Sequence, residues 1–225
     1  MEQLIQPTLL QRVRSFLYPI SLYKTKGDKT DYLEVLLYQN QFQLASKSAL
    51  YSDGIRYMPF RVGLQQLNKN QLSHSQKVLI LGSGIGSVLQ ILQKGYDNQA
   101  HFVLVDIDRV ILDLAIQLHP PTPPATADYI HQDVVDFMNS TTEQFDLICI
   151  DVFIEQTVPE FICSKDFFLK LKQKLHPKGA WIMNYIVHDE QKASQFVNEI
   201  KPIFPDLKIF QKKLNTIIYK DFEVQ

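Results

Sequence analysis

Residues Lys77 to Leu92 read K-V-L-I-L-G-S-G-I-G-S-V-L-Q-I-L, an apolar strand that runs into three alternating glycines and then into helical spacing. Val78, Leu79, Ile80 and Leu81 form the continuous apolar run of a strand covered on both faces, as in parallel sheets. Gly82, Gly84 and Gly86 allow positive φ and let a ligand come close to bare backbone, while the first turn of the next helix offers unpaired N–H groups. Asp106 lies twenty residues beyond Gly86, at the end of a second apolar strand, Phe102 to Val105. An acid there is placed to take both hydroxyls of a ribose. A glycine turn alone also serves close strand–helix packing. The strand before it, the helix after it and the acid at the next strand end together predict a nucleotide-binding turn.

The spacing narrows the ligand. Dinucleotide sites use G-x-G-x-x-G, whereas here Gly86 stands two beyond Gly84 and is followed by Ser87. The G-x-G-x-G form resembles the turn of proteins that bind S-adenosylmethionine or a close relative.

The chain changes character near residue 70. Before it, Ile20 to Lys24, Tyr32 to Tyr38, Gln41 to Ser46 and Ala49 to Tyr51 are short β-prone runs parted by turn residues, and Tyr57 to Asn68 takes helical spacing. From Lys77 on, strands and helices alternate: Val78 to Leu81, Gly86 to Gln93, Phe102 to Val105, Val110 to Leu118, Tyr129 to Ile130, Val134 to Asn139, Leu147 to Ile150, Phe167 to Leu175 and Ala180 to Tyr185. This order predicts a parallel α/β sheet, with ligands beyond the carboxyl ends of its strands, where Gly82, Asp106, Asp133 and Asp151 all fall. After a helix over Asp189 to Ile203, the runs Leu207 to Lys212 and Thr216 to Tyr219 are joined too tightly for a parallel crossover, so an antiparallel pair closes the sheet. Two domains are expected, 1–68 with an N-terminal helix and a small β-domain, and 69–225 as the ligand-binding domain.

Composition sets the classes that fall away. Of 225 residues, 45% are hydrophobic, enough for a sizeable core. Lys plus Arg number 23 against 24 Asp plus Glu, so no broad footprint for nucleic acid is present. Cys149 and Cys163 suggest neither a disulfide framework nor a metal site. No apolar run reaches membrane-spanning length, and a cytoplasmic protein without membrane partners is expected.

The residues resemble the spermidine synthase-like branch of the class I S-adenosylmethionine-dependent methyltransferase superfamily over nearly the whole chain. The matching pieces are the hairpin Leu37 to Leu44, the segment Tyr51 to Phe60, K-V-L-I-L-G-S-G-I-G-S-V-L, V-D-I-D-R-V-I at 105–111 and H-Q-D-V-V-D-F-M at 131–138. F-D-L-I-C-I-D-V-F-I-E-Q-T-V-P-E-F-I-C-S-K-D-F-F at 145–168, followed by L-H-P-K-G-A-W-I-M-N at 175–184, is the most specific. The resemblance implies a Rossmann-like class I methyltransferase fold: a seven-stranded, mostly parallel sheet with its last strand antiparallel, behind a small N-terminal β-hairpin domain. It also implies S-adenosylmethionine or its decarboxylated form as cofactor, no metal, and a homodimer through the N-terminal β-domain.

By the same resemblance, Gly82, Ser83 and Gly84 meet the cofactor's amino acid end, Gly86 is a further cofactor-binding residue, Asp106 holds the ribose, and Asp133 accepts from the adenine amine. Asp133 is also a natural helix cap, and the two roles are compatible. Ile107 and Val134 are either contacts to the adenine faces or plain core. Asp151 matches the acid that takes a proton from the attacking amine, while turn chemistry also favours Asp there. Tyr57, Ile85 and Ile154 mark the substrate side. At 85 and 154 the spermidine synthase pattern carries acids, and after Tyr57 this chain has Met58-Pro59 where an amide or imidazole and a carboxylate are expected. Holding a protonated diamine needs carboxylates to offset the desolvation of its charges. Their loss favours methyl transfer to a small acceptor over aminopropyl transfer, with a non-catalytic ligand-binding or oligomerisation protein as a third reading. Among weaker candidates, His188, Asp189 and Glu190 read as a surface turn before a helix. Lys212, Lys213 and Lys220 read as a solvated face, Phe153, Phe161, Phe167 and Phe168 as core rather than an acceptor pocket, and Asn184 and Tyr185 as strand-end residues that either face the acceptor or pack.

Overall fold

The computed structural model describes residues 5–153, 157–186, 189–212 and 215–223. A short helix, α1 (Leu9–Arg14), precedes four antiparallel strands, β1 (Ile20–Thr25), β2 (Leu33–Tyr38), β3 (Gln41–Ala45) and β4 (Leu50–Ser52), paired in sequence order. Gln39 and Asn40 both take positive φ between β2 and β3, as a tight hairpin turn requires. Next come α2 (Met58–Gly63) and α3 (Lys69–His74). The remainder alternates: β5 (Lys77–Leu81), α4 (Ser87–Tyr96), β6 (His101–Asp106), α5 (Arg109–Leu118), β7 (Thr126–His131), α6 (Val134–Ser140), β8 (Phe145–Ile150), α7 (Lys165–Lys174), β9 (Leu175–Ile186), α8 (Glu190–Ile200), β10 (Lys208–Lys212) and β11 (Asn215–Lys220).

These last seven strands form one sheet in the order β10-β11-β9-β8-β5-β6-β7, parallel except that β11 runs antiparallel to both neighbours. The expected α/β fold is the one found. Along β5 the pleat sends Val78 and Ile80 into a core under α2, α3 and α4, and Leu79 and Leu81 into a core under α6, α7 and α8. A continuous apolar strand is thus what a sheet buried on both faces needs. The small sheet packs on α5: Leu33, Val35 and Leu44 meet Ile111, Leu114 and Leu118.

Several elements depart from the sequence reading. The helical spacing at Tyr57–Asn68 is broken, because the chain tightens to a 3-10 turn at Leu64–Gln66 and Asn68 caps a separate helix, α3, by accepting from Gln71 N. Strand β7 starts at Thr126 rather than Tyr129; as a half-exposed sheet edge it lacks an apolar run to announce it. Strand β9 begins at Leu175, before Ala180, across a register shift opposite Phe145/Leu147. Lys220 is not part of a solvated face. It is 5% exposed, donating Nζ to the Gly179 carbonyl oxygen at 3.0 Å and pairing with Glu223 at 3.3 Å.

Candidate functional site

The glycine turn sits where β5, β6 and β8 end together. Gly82 takes φ +80° and Gly84 φ +46°, in the left-handed region where side chains are strained. A Cβ on Gly82 would run into the Asp151 carbonyl oxygen, and one on Gly84 into Ser52 Oγ. The turn is therefore clamped between β8 on one side and the N-terminal sheet on the other. Ser52 Oγ also accepts from Ile85 N at 2.9 Å, and Ser87 Oγ accepts from Asp53 N at 3.1 Å. The sequence carried no sign of Ser52's part, since the contact spans 33 residues.

Asp106 is held by the turn itself. Its Oδ2 accepts from Ser83 N at 3.0 Å and Ser83 Oγ at 3.1 Å, and its Oδ1 accepts from Asp108 N at 3.1 Å. Ser83 thus acts through Asp106 rather than by offering its own N–H to a ligand. Burial raises the Asp106 carboxyl above the usual range, against those three donors. Beside it, Ile107 is 41% exposed, an open apolar surface at the strand ends. Asp133 caps α6, its Oδ1 accepting from Val135 N at 2.7 Å.

Three expected contacts fall elsewhere. Val134 is 5% exposed and packs with Val103, Val105 and Phe137, so it belongs to the core. Gly86 is buried and starts α4 at φ +88°. Ile85 is fully buried among Leu33, Val35, Ile111 and Leu114, because the left-handed residues on either side turn its side chain into the seam between the two sheets. It lines that seam, not the acceptor site. Ile154, His188 and Lys213 lie outside the described residues.

On the acceptor side, Asp151 leaves β8 with its backbone N–H still donating to Leu81 O at 2.8 Å. Tyr57 at the head of α2 and Asn184 on β9 converge on its Oδ1, the hydroxyl donating at 3.2 Å and Nδ2 at 3.0 Å. The first is 94 and the second 33 residues from Asp151 in sequence, which is why spacing did not join them. Burial pushes the Asp151 carboxyl up to about 7, with Asp106 adding to the rise and the two donors opposing it. Tyr57 stays protonated, its phenol driven far above its usual range by burial and then by the Asp151 charge. Pro59 is buried in the first turn of α2 and Ile85 is fully buried, so neither of these positions offers an acid.

Other candidates resolve into structure. Asp189 caps α8, accepting from Gln191 N and Lys192 N. Phe167 and Phe168 are core, Phe153 is half-buried against it, and Phe161 is 42% exposed. The cysteines are free. No group of three or more His, Cys, Asp or Glu side chains among the described residues is disposed to hold a metal ion. No described helix is long and apolar enough to cross a membrane.

Two partly buried carboxylates, Asp106 and Asp151, thus flank a bare glycine turn, and neither has an ion-pair partner among the described residues. The arrangement suits a cation with a ribose and an apolar ring, as an adenosyl sulfonium cofactor has. Asp106 would hold the ribose, Ile107 and Asp133 the adenine, and Gly82 and Gly84 the amino acid end.

Known proteins share this architecture. A probable spermidine synthase from Corynebacterium glutamicum superimposes with a TM-score of 0.75 at 16% identity, over 90% of this chain and 80% of its own. Human methyltransferase-like protein 13, solved in complex with SAH, gives 0.62 at 21% identity, over 73% and 80%. In sequence, the eEF1A lysine and N-terminal methyltransferase homolog of Drosophila melanogaster is 25% identical over 153 residues, 63% of this chain and 23% of that protein. The polyamine aminopropyltransferase of Yersinia pestis is 26% identical over 156 residues, 64% of this chain and 52% of that enzyme. The chain therefore spans about half or less of the length of these two relatives. The spermine/spermidine synthase domain profile matches residues 62–218, most of the chain and all of the strand ends that build the site, and the chain belongs to that family.

Proposed function

We propose that this protein is an S-adenosylmethionine-dependent methyltransferase acting on a small acceptor. The observation that carries the choice is Ile85, whose fully buried side chain leaves the glycine turn with no acid for a cationic aminopropyl group. A carboxylated donor needs no such acid, and its charged sulfur is complemented by the two strand-end carboxylates. The bound cofactor supplies an electrophilic carbon on a positively charged sulfur. Asp106 and the turn orient it, while Asp151, held by Tyr57 and Asn184, takes a proton from the acceptor's nucleophile. A group with its carboxyl near 7 is poised for that at neutral pH. A cytoplasmic setting is part of the reading.

Aminopropyl transfer is the second reading, favoured by the Tyr57–Asp151 contact at 3.2 Å, which keeps the aromatic and the acid of the polyamine enzymes' pattern in touch. Calorimetry with S-adenosylmethionine, its decarboxylated form and methylthioadenosine separates the two. S-adenosylmethionine is expected to bind tighter than the decarboxylated form. The reverse order sinks methyl transfer, and no binding by any of the three at millimolar concentration sinks both.

A further inference from the structure

Asn184 is 2% exposed, and its amide is half used: Nδ2 donates to Asp151 Oδ1, while Oδ1 is buried with no partner among the described residues. An amide of this kind serves either protonation state of a neighbouring acid. With Nδ2 forward it donates to a carboxylate; turned over, it presents Oδ1 to a carboxylic O–H. Among the described residues, the groups that face Asp151 are Tyr57 from the head of α2, Asn184 from β9, Asp106 from the end of β6 and Cys149 on its own strand. None is a cation. Two of them, the phenol and the thiol, are neutral through the physiological range, and the third ionisable one, Asp106, repels a charge on Asp151. A negative Asp151 therefore has no counter-charge among the described residues until a positive ligand arrives.

We propose that Asn184 is a positioning residue for Asp151, and that the pair couples donor binding to release of one proton: Asp151 is a neutral acid in the donor-free protein and a carboxylate beside a bound sulfonium. The inference rests on reading the site as one for a sulfonium donor. The proton leaves Asp151 for solvent and nothing else changes hands. The device separates substrate from product by charge, since S-adenosylmethionine is positive at sulfur and S-adenosylhomocysteine is a neutral thioether. Loss of the methyl group removes the counter-charge, Asp151 takes up a proton again, and the product is held less tightly than the donor at neutral pH.

The test is calorimetry of both compounds between pH 5 and 7 in buffers of different ionisation enthalpy. S-adenosylmethionine is expected to release a proton fraction that approaches one toward pH 5, with affinity rising up to tenfold per pH unit. S-adenosylhomocysteine is expected to show neither. Asp151→Asn abolishes the release. Asn184→Leu, which removes a donor to the carboxylate, moves the pH midpoint upward, and Asn184→Gln restores it; a purely structural role for Asn184 would weaken binding equally at every pH. If S-adenosylmethionine binds with no proton release, the coupling is refuted and the cofactor assignment stands. If it does not bind at all, both fall.

Discussion

Replacing Asp151 by Asn removes one ionisable group and keeps its shape, including an Oδ1 that can accept from Tyr57 and from Asn184. In the folded chain the Asp151 carboxyl stands at about 7 rather than 3.8. The folded state therefore binds more protons than the unfolded state between those values, and stability falls as pH rises from about 4 to about 7. At about 1.4 kcal/mol for each tenfold change in the proton equilibrium, ionising Asp151 in the fold costs about 4 kcal/mol. This is a ceiling, because the residue keeps a solvent-facing part that screens its charge. Asp151→Asn is thus expected to be neutral near pH 4 and increasingly stabilising up to pH 7, level above that, while turnover is lost. For a chain of this size each kcal/mol moves Tm by about 2 to 4 °C, so thermal melts at pH 5 and pH 8 resolve the effect. Wild-type and variant Tm values that stay parallel from pH 5 to pH 8 would refute the reasoning.

His119 carries the opposite sign. Burial lowers its pKa from 6.5 to about 4 while Nδ1 meets the Ile85 carbonyl oxygen at 2.7 Å, so stability is present above pH 6.5 and lost as pH falls toward 4. His119→Gln should flatten melting curves over that acid window, and an unchanged acid slope would remove His119 as its cause. Gly84→Ala forces a left-handed backbone and a collision with Ser52 Oγ, and is expected to lose about 1–2 kcal/mol and most donor affinity. Gly95→Ala, with open space beside it in α4, serves as the control and should gain about 0.5–1 kcal/mol in denaturant melts; equal outcomes for the two glycines count against the strained turn. Helix α1 and the turn after it leave Leu9 79% and Leu17 80% exposed, an apolar surface that fits the dimer through the N-terminal domain which the family resemblance implies. Sedimentation should show a dimer that Leu17→Glu dissociates, and a monomer at micromolar concentration in the unaltered chain overturns it.

Much of this protein was legible because local patterns carry it. The apolar run Val78–Leu81, the alternating glycines and the acid at the next strand end depend on period and adjacency, so they fixed the parallel sheet, the turn and Asp106 before any contact was known. The antiparallel β10/β11 pair followed from the shortness of its connection. Elements without a strong period were not legible: edge strand β7 sets only Ala127 and Tyr129 against one core and Ile130 against the other, too few to show a period, and the break between α2 and α3 is a 3-10 turn at Leu64–Gln66 followed by the Asn68 cap, inside an apolar spacing that reads as one helix.

The glycine turn and what it offers a ligand were set by the sequence, since positive φ and missing side chains are properties of the residues themselves. Side-chain direction and long-range contact were left to the tertiary structure. Only the packing of the small sheet on α5 supplied the seam that Ile85 fills, and only the convergence of α2, β8 and β9 brought Tyr57 and Asn184 onto Asp151. The absence of an acid at 85 could be read from the chain. That Asp151 lies between two neutral donors and another acid, with its carboxyl near 7, is a consequence of burial and distance, which no spacing in the sequence encodes.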